Sequence, residues 1–246
     1  MDTVVYDRIE DVLGRIESLY GRVEDTYLVA KDILLGTQIS DWIADLKASG
    51  TASATYSDAS RMNALIANED AANNVDVAKY LVQWAVANNK FGTYCGAACG
   101  AVSGVTWDSL TTPNAVMSNA AAFTALCGNS VAFKASMQNG SCKSAIYNNA
   151  NVTEGVIRSS STGMTVFRGL TQSFSISMSN NSREQNMFVL YVLADVQDTV
   201  VTLGYETGNH GTVNVPRDGR VDINRFANSI SQTSPMALSV TYVDFS

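Results

Sequence analysis

The chain has 246 residues, a net charge of -7 and a pI near 4.6. That length holds one large or two to three small domains with ample core. The acidity argues against nucleic acid or an anionic membrane as the main partner. No apolar run reaches the roughly 18 residues of a spanning helix. Met1 leads straight into acidic, helix-patterned sequence, so neither a membrane span nor a secretory signal is expected.

The first stretch, 1–36, is read as a coiled-coil stem. Arg8 to Leu28 contains three near-copies of one heptad, and Val5, Ile9, Val12, Ile16, Leu19 and Val23 alternate spacings of four and three. That is the 3.5-residue period of a helix seam facing a partner helix. With Ile9, Ile16 and Val23 at a positions, the d positions are Val5, Val12, Leu19 and Thr26. β-Branched residues at both positions favour three strands over two, so a homotrimer is preferred. Leu13, Tyr20 and Tyr27 widen the face at e positions, and Arg8, Arg15 and Arg22 at g can cover them with their stems. Gly14 and Gly21 fall on the outer face. Each costs a helix about 1 kcal/mol relative to Ala, which is either slack tolerated by a strong seam or room for a docking surface. The alternative for the whole stretch is one amphipathic helix buried in its own chain. Leu34-Leu35-Gly36 supplies an apolar end and a helix stop.

Residues 37–150 read as an α-helical middle rich in Ala and Asn. Ile39 to Leu46 forms an amphipathic piece with Trp42, Ile43 and Leu46 on one face, and Ser49 to Ser57 reads as a linker or turn. Asp58 is an expected N-cap for a helix carrying Met62, Leu65 and Ile66. Val77 to Val86 places Tyr80, Leu81, Trp84 and Ala85 at helical spacing. Phe91 to Gly104 is rich in Gly and Ala, so close backbone packing is expected there. Trp107 to Pro113 reads as a turn into the next helix, with Pro113 in its first turn. Beyond it Asn119, Asn129, Asn139 and Asn149 stand ten apart, with Phe123 and Phe133 in matching places. Ten residues allow about two helical turns and a joint, with Asn or Gly expected in the left-handed conformation at each helix end. Units this short must stack on one another.

The cysteines Cys95, Cys99, Cys127 and Cys142 lack paired CxxC spacing, and the lone His210 is distant in sequence. Free or buried thiols are expected, with no metal.

Residues 151–246 switch to strand patterns. Phe174, Ile176 and Met178 alternate with serines, Met187 to Leu193 is nearly all apolar, and four more short strands follow as Asp198–Tyr205, Thr212–Val215, Arg220–Ile223 and Ala237–Phe245. Asn180-Asn181, Gly208-Asn209 and Pro216 to Gly219 supply turns. This strand density predicts an antiparallel β-sandwich, making the chain α+β and multidomain.

Chemistry is sparse. His210 sits in a turn signal away from any nucleophile elbow. Asp195, Asp198, Glu206, Asp218 and Asp222 are available as paired carboxylates, but spacing alone does not pair them. No Gly-rich phosphate loop of standard spacing occurs, so no catalytic residue and no cofactor is expected. The aromatics Tyr205 and Phe226 and the acidic loop at Asp218 are the candidate ligand surface, read as exposed and suited to a glycan.

The heptads of Arg8 to Leu28 and the Ala/Asn block from Thr112 to Asn149 together resemble virion structural proteins of tailed bacteriophages, of the fibre, spike or head-fibre kind. The resemblance implies a non-enzymatic, oligomeric part, assembled in a host cytoplasm and carried on the virion. It implies other virion proteins as partners at the stem and a host surface glycan or receptor at the β-domain. The chain lacks the Gly-rich or His-x-His repeats common in fibre heads and is short for a long tail fibre, which favours a short spike or capsid-attached fibre. A head or tail connector or decoration subunit, a glycan-binding adhesion module and a polysaccharide-degrading spike are the alternatives.

Overall fold

A computed structural model describes residues 3–177, 182–205, 211–234 and 236–246. The side chains of residues 3–5, 7, 32 and 33 fall outside that description, so only the backbone of Val5 is placed. The expected turns at Asn180-Asn181 and Gly208-Asn209, together with Glu206 and His210, also lie outside the described residues. The chain is α+β and divides into two compact units, 1–57 and 58–246.

The first unit is dominated by one helix, α1 (Thr3–Ser49), of 47 residues. At 1.5 Å per residue it is about 70 Å long. The stop expected at Gly36 does not occur. A glycine inside a helix costs only about 1 kcal/mol, and burial of Ile39 and Leu46 beyond it helps to hold the helix through that point. The helix ends instead where Gly50 takes a positive φ of 57°, a conformation that side chains resist. The segment read as a linker is an ordered cap. A 3-10 turn (Gly50–Ala52) leads into α2 (Ala54–Ser57), and the Asp45 carboxylate accepts the Thr55 N–H at 2.9 Å. Ile39 and Leu46, from the amphipathic piece, are buried.

The second unit opens with α3 (Ala59–Ile66), capped as expected by Asp58, which accepts the Ser60 and Arg61 N–H groups. Short helices follow as α4 (Glu69–Ala72), α5 (Ala78–Ala87) and α6 (Phe91–Cys99). Close packing in the Gly/Ala stretch is real. Gly92 and Gly96 of α6 press against the 3-10 turn Trp107–Ser109. Thr112 then caps α7 (Pro113–Ser118), with Pro113 in the first turn.

The decapeptide period is a series of helices, α8 (Ala120–Gly128), α9 (Ser130–Met137) and α10 (Gly140–Asn148). Three of its four asparagines work at the opposite end from the one expected, while Asn149 stays at the end of α10, its amide donating to the Ala145 carbonyl at 2.8 Å. Asn119, Asn129 and Asn139 have φ between -95° and -105°, and each side-chain oxygen accepts an N–H from the first turn of the following helix. An N-cap needs extended backbone, which asparagine adopts without strain. Phe123 and Phe133, in equivalent places, are fully buried and meet edge to face at 6.0 Å.

Asn129 also uses its amide nitrogen, donating to the Ala98 carbonyl at 2.7 Å and to Asn73 Oδ1 at 2.6 Å. Replacing a helix cap with Ala costs about 1 kcal/mol, and leaving the part-buried Asn73 Oδ1 without its donor adds about 1 kcal/mol or more. Asn129→Ala is therefore expected to destabilise the fold at least about 1 kcal/mol more than Asn119→Ala. Urea titration of both variants checks this, and equal midpoints would contradict it.

Helices continue beyond the expected start of the strand region as α11 (Ala150–Ser159) and α12 (Ser161–Gly169). Their Ile157, Val166 and Phe167 are buried. The strands are β1 (Gln172–Ile176), β2 (Ser182–Ala194), β3 (Thr199–Gly204), β4 (Gly211–Val215), β5 (Gly219–Gln232) and β6 (Leu238–Asp244). Among the described residues they form one antiparallel sheet in the order β1-β6-β2-β5-β3-β4, where a sandwich of two sheets was expected. Two long strands replace the second sheet. β2 and β5 pair with register shifts between Glu184 and Met187 and between Val189 and Tyr191, which bend them. One face buries its own cluster, including Met187, Val189, Val201, Ile230 and Val240. The other face meets the helices through a run of rings, in which Phe167 touches Phe188 at 4.9 Å and Phe188 touches Phe226 at 5.0 Å.

Candidate functional site

Two regions carry the candidate residues, one in each unit. In the first, α1 presents its apolar seam to solvent. Ile9, Val12, Ile16, Leu19 and Val23 are between 42 % and 64 % exposed, and the flanking Leu13, Tyr20 and Tyr27 are more than half exposed. Single exposed apolar residues need no explanation, but a continuous stripe of this kind marks an interaction surface. Among the described residues nothing lies within 4 Å of a side chain built at Gly14 or Gly21. Thr26, in the last d layer of the seam, returns its hydroxyl to the Arg22 carbonyl at 2.7 Å and so carries no unmet donor into that layer.

In the second unit the candidate ligand residues separate. Phe226 is not a surface aromatic: it is 4 % exposed and packs against Tyr147, Phe188 and Phe245. Its strand carries a kink at Asn224, φ 51°, which turns Phe226 towards the helices. Tyr205 is half-buried, with its hydroxyl donating to the Tyr147 carbonyl at 2.9 Å and its ring against that of Tyr147. Asp218 is exposed in the turn before β5, with a positive φ of 53°, paired to Arg217 at 3.3 Å. It lies at the far end of β4 from Tyr205 and takes no part in one surface with it.

Tyr205 and Phe226 do share a cleft of about 960 Å³, bounded by α11, β3, β4 and the first half of β5. That half of β5 pairs with β2 on one side, while among the described residues β3 pairs only with its second half, Ser229–Gln232. Glu154 of α11 fills part of the gap, accepting the Phe226 N–H at 3.1 Å as a neighbouring strand's carbonyl would. Glu154 also faces Arg158 at 3.9 Å, and Asp222 is held by both nitrogens of the Arg220 fork at 2.9 and 2.8 Å. Asp198 accepts the Arg217 N–H at 2.7 Å. Each of these carboxylates is thus committed to a donor.

All four cysteines are free thiols; Cys95, Cys127 and Cys142 are buried and Cys99 half-buried. Burial pushes Cys99 and Cys127 up to about 12 and raises Cys95 and Cys142 as well, which keeps them protonated and inert as nucleophiles. Among the described residues, no group of three or more His, Cys, Asp or Glu side chains is arranged to hold a metal, and no helix is long and apolar enough to cross a membrane. No known family model matches the chain, and no curated protein or solved structure shows measurable similarity to it.

Sequence reasoning passed over Glu154, Arg158 and Arg225. Each looks like an ordinary surface charge until the half of β5 left open on its β3 side is in place beside α11.

Proposed function

We propose that the chain is a structural component of a bacteriophage virion, a short fibre, spike or head fibre assembled in the host cytoplasm. Its N-terminal helix joins copies, three being favoured, through a coiled-coil seam and anchors them to other virion proteins. Its β-bearing unit faces outward for host contact or adds to the trimer. The observation that carries this reading is the exposed apolar stripe from Ile9 to Val23.

Magnitudes support assembly through that stripe. Fully burying a Val, Leu or Ile side chain contributes about 1.5–3 kcal/mol. The five described seam residues, already partly shielded by their helix, thus supply on the order of 5–10 kcal/mol per chain. Association costs roughly 4–15 kcal/mol in lost freedom, a cost that three chains together can exceed. β-Branched residues at Ile9, Val12, Ile16 and Val23 supply the preference for three strands.

The virion assignment is tested by mass spectrometry of purified particles of the virus that encodes the chain. The expected result is the intact chain at a fixed ratio to the major capsid protein, retained through density-gradient purification. Its presence only in the soluble fraction of the lysate would contradict the assignment.

A further inference from the structure

We infer that the cleft between α11 and the β3–β4–β5 region binds an acidic oligosaccharide. This deepens the host-contact part of the proposal above and rests on it for the ligand's source alone; the ligand's chemistry is argued from the cleft.

The size is suitable. About 960 Å³ lies at the upper end of the roughly 300–1,000 Å³ typical of small-molecule sites. The charge balance is the deciding feature. Among the described residues four charged side chains line the cleft, Glu154, Arg158, Asp222 and Arg225. Both carboxylates are engaged within the chain, Asp222 by the Arg220 fork and Glu154 by the Phe226 N–H. Arg158 meets Glu154 only at 3.9 Å, a long contact that leaves most of its donors available. Among the described residues the Arg225 guanidinium has no hydrogen bond or ion pair, and it is exposed. In a chain of net charge -7, this cleft therefore offers one guanidinium with no committed anion, Arg225, beside a second, Arg158, held only by a long contact, and such forks match a carboxylate or phosphate in two-point geometry.

The rest of the lining selects a sugar over a bare anion or an apolar molecule. Tyr205 is fixed by its hydroxyl bond to the Tyr147 carbonyl, so its ring is presented without loss of rotamer freedom on binding. Asn151 and Thr212 add amide and hydroxyl groups that exchange donors and acceptors with sugar hydroxyls. The cleft is open and mixed in polarity, without the enclosed apolar floor that a lipid chain or drug-like ring requires.

The test is titration calorimetry of the full-length chain with tetragalacturonate, with maltotetraose and hexaglutamate as probes of ring and charge alone. Saturable binding of tetragalacturonate is expected, weakened about tenfold or more by Arg225→Gln and unchanged by Arg217→Gln, an arginine outside the cleft. Maltotetraose is expected to bind at least about tenfold more weakly, through loss of the charged contacts. Arg225 is exposed, so circular dichroism of the variant should match the parent. No saturable binding of tetragalacturonate would overturn the inference, as would binding indifferent to Arg225→Gln. Equal binding of maltotetraose would remove the acidic requirement, and equal binding of hexaglutamate would remove the sugar. None of these outcomes bears on whether the stem assembles, which is read by mass.

Discussion

Ile16→Asp is expected to dissociate the assembled chain and to lower its helical content. Ile16 is the central a residue of the seam and, at 42 % exposure, the least exposed of those described. In a three-stranded coil the substitution places three carboxylates in one layer, facing one another across a few ångströms. Each buried charge without a partner costs several kcal/mol, which offsets most of the about 5–10 kcal/mol that each chain gains from the whole stripe. The N-terminal part of α1 then stands alone in water. Because isolated helices depend on packing for most of their stability, the circular dichroism signal at 222 nm should fall with the sedimentation coefficient. Ser18→Asp, two residues on and facing away from the seam, controls for charge in the same turn and should change neither. An Ile16→Asp variant with the parent's sedimentation behaviour would remove the seam from the account.

Gly92→Ala should lower the melting temperature of the second unit by about 6–12 °C, from a loss of about 3 kcal/mol at the upper end of the overpacking range. The new Cβ would meet the backbone carbonyl oxygens of Trp107 and Leu110, the latter at 2.5 Å. Neither carbonyl is free to retreat. The Phe91 N–H, beside Gly92, donates to the Thr111 carbonyl at 3.1 Å, and the Trp107 indole donates to the Gly100 carbonyl at 2.8 Å. Together these bonds tie α6 to the turn from both ends. Gly128→Ala is the control, because nothing lies within 4 Å of its Cβ and it sits at the end of α8. There the better helix propensity of Ala should hold or slightly raise the melting temperature. Thermal denaturation of both variants decides the matter, and a Gly92→Ala transition at the parent temperature would show that the turn yields.

How far the fold could be read from the residues depended on whether the governing interaction was local. The Asp58 cap, the Pro113 helix start and the helix around Leu81 and Trp84 rest on contacts within a few positions, and each stands where the pattern put it. The asparagine period was visible, but its direction was not. The same residue type serves a left-handed helix end and an N-cap, and only the backbone angle separates them. The second half of β5 was missed because the kink at Asn224 breaks the alternation between Ile223 and Phe226. The same kink turned an apparent surface aromatic into a core residue. The expected sandwich was replaced by one bent sheet because β2 and β5 are long enough to serve both halves of the core, and strand density does not reveal strand length across a bulge. The stem pattern was the clearest signal of all, and its residues lie on one exposed face of a continuous helix.

The central claim is that α1 is an assembly stem, and it is tested most directly by the solution mass of the unmodified chain by light scattering. Three times the 26.3 kDa of one chain is expected, held on dilution through the micromolar range. A mass of one chain at those concentrations would contradict it.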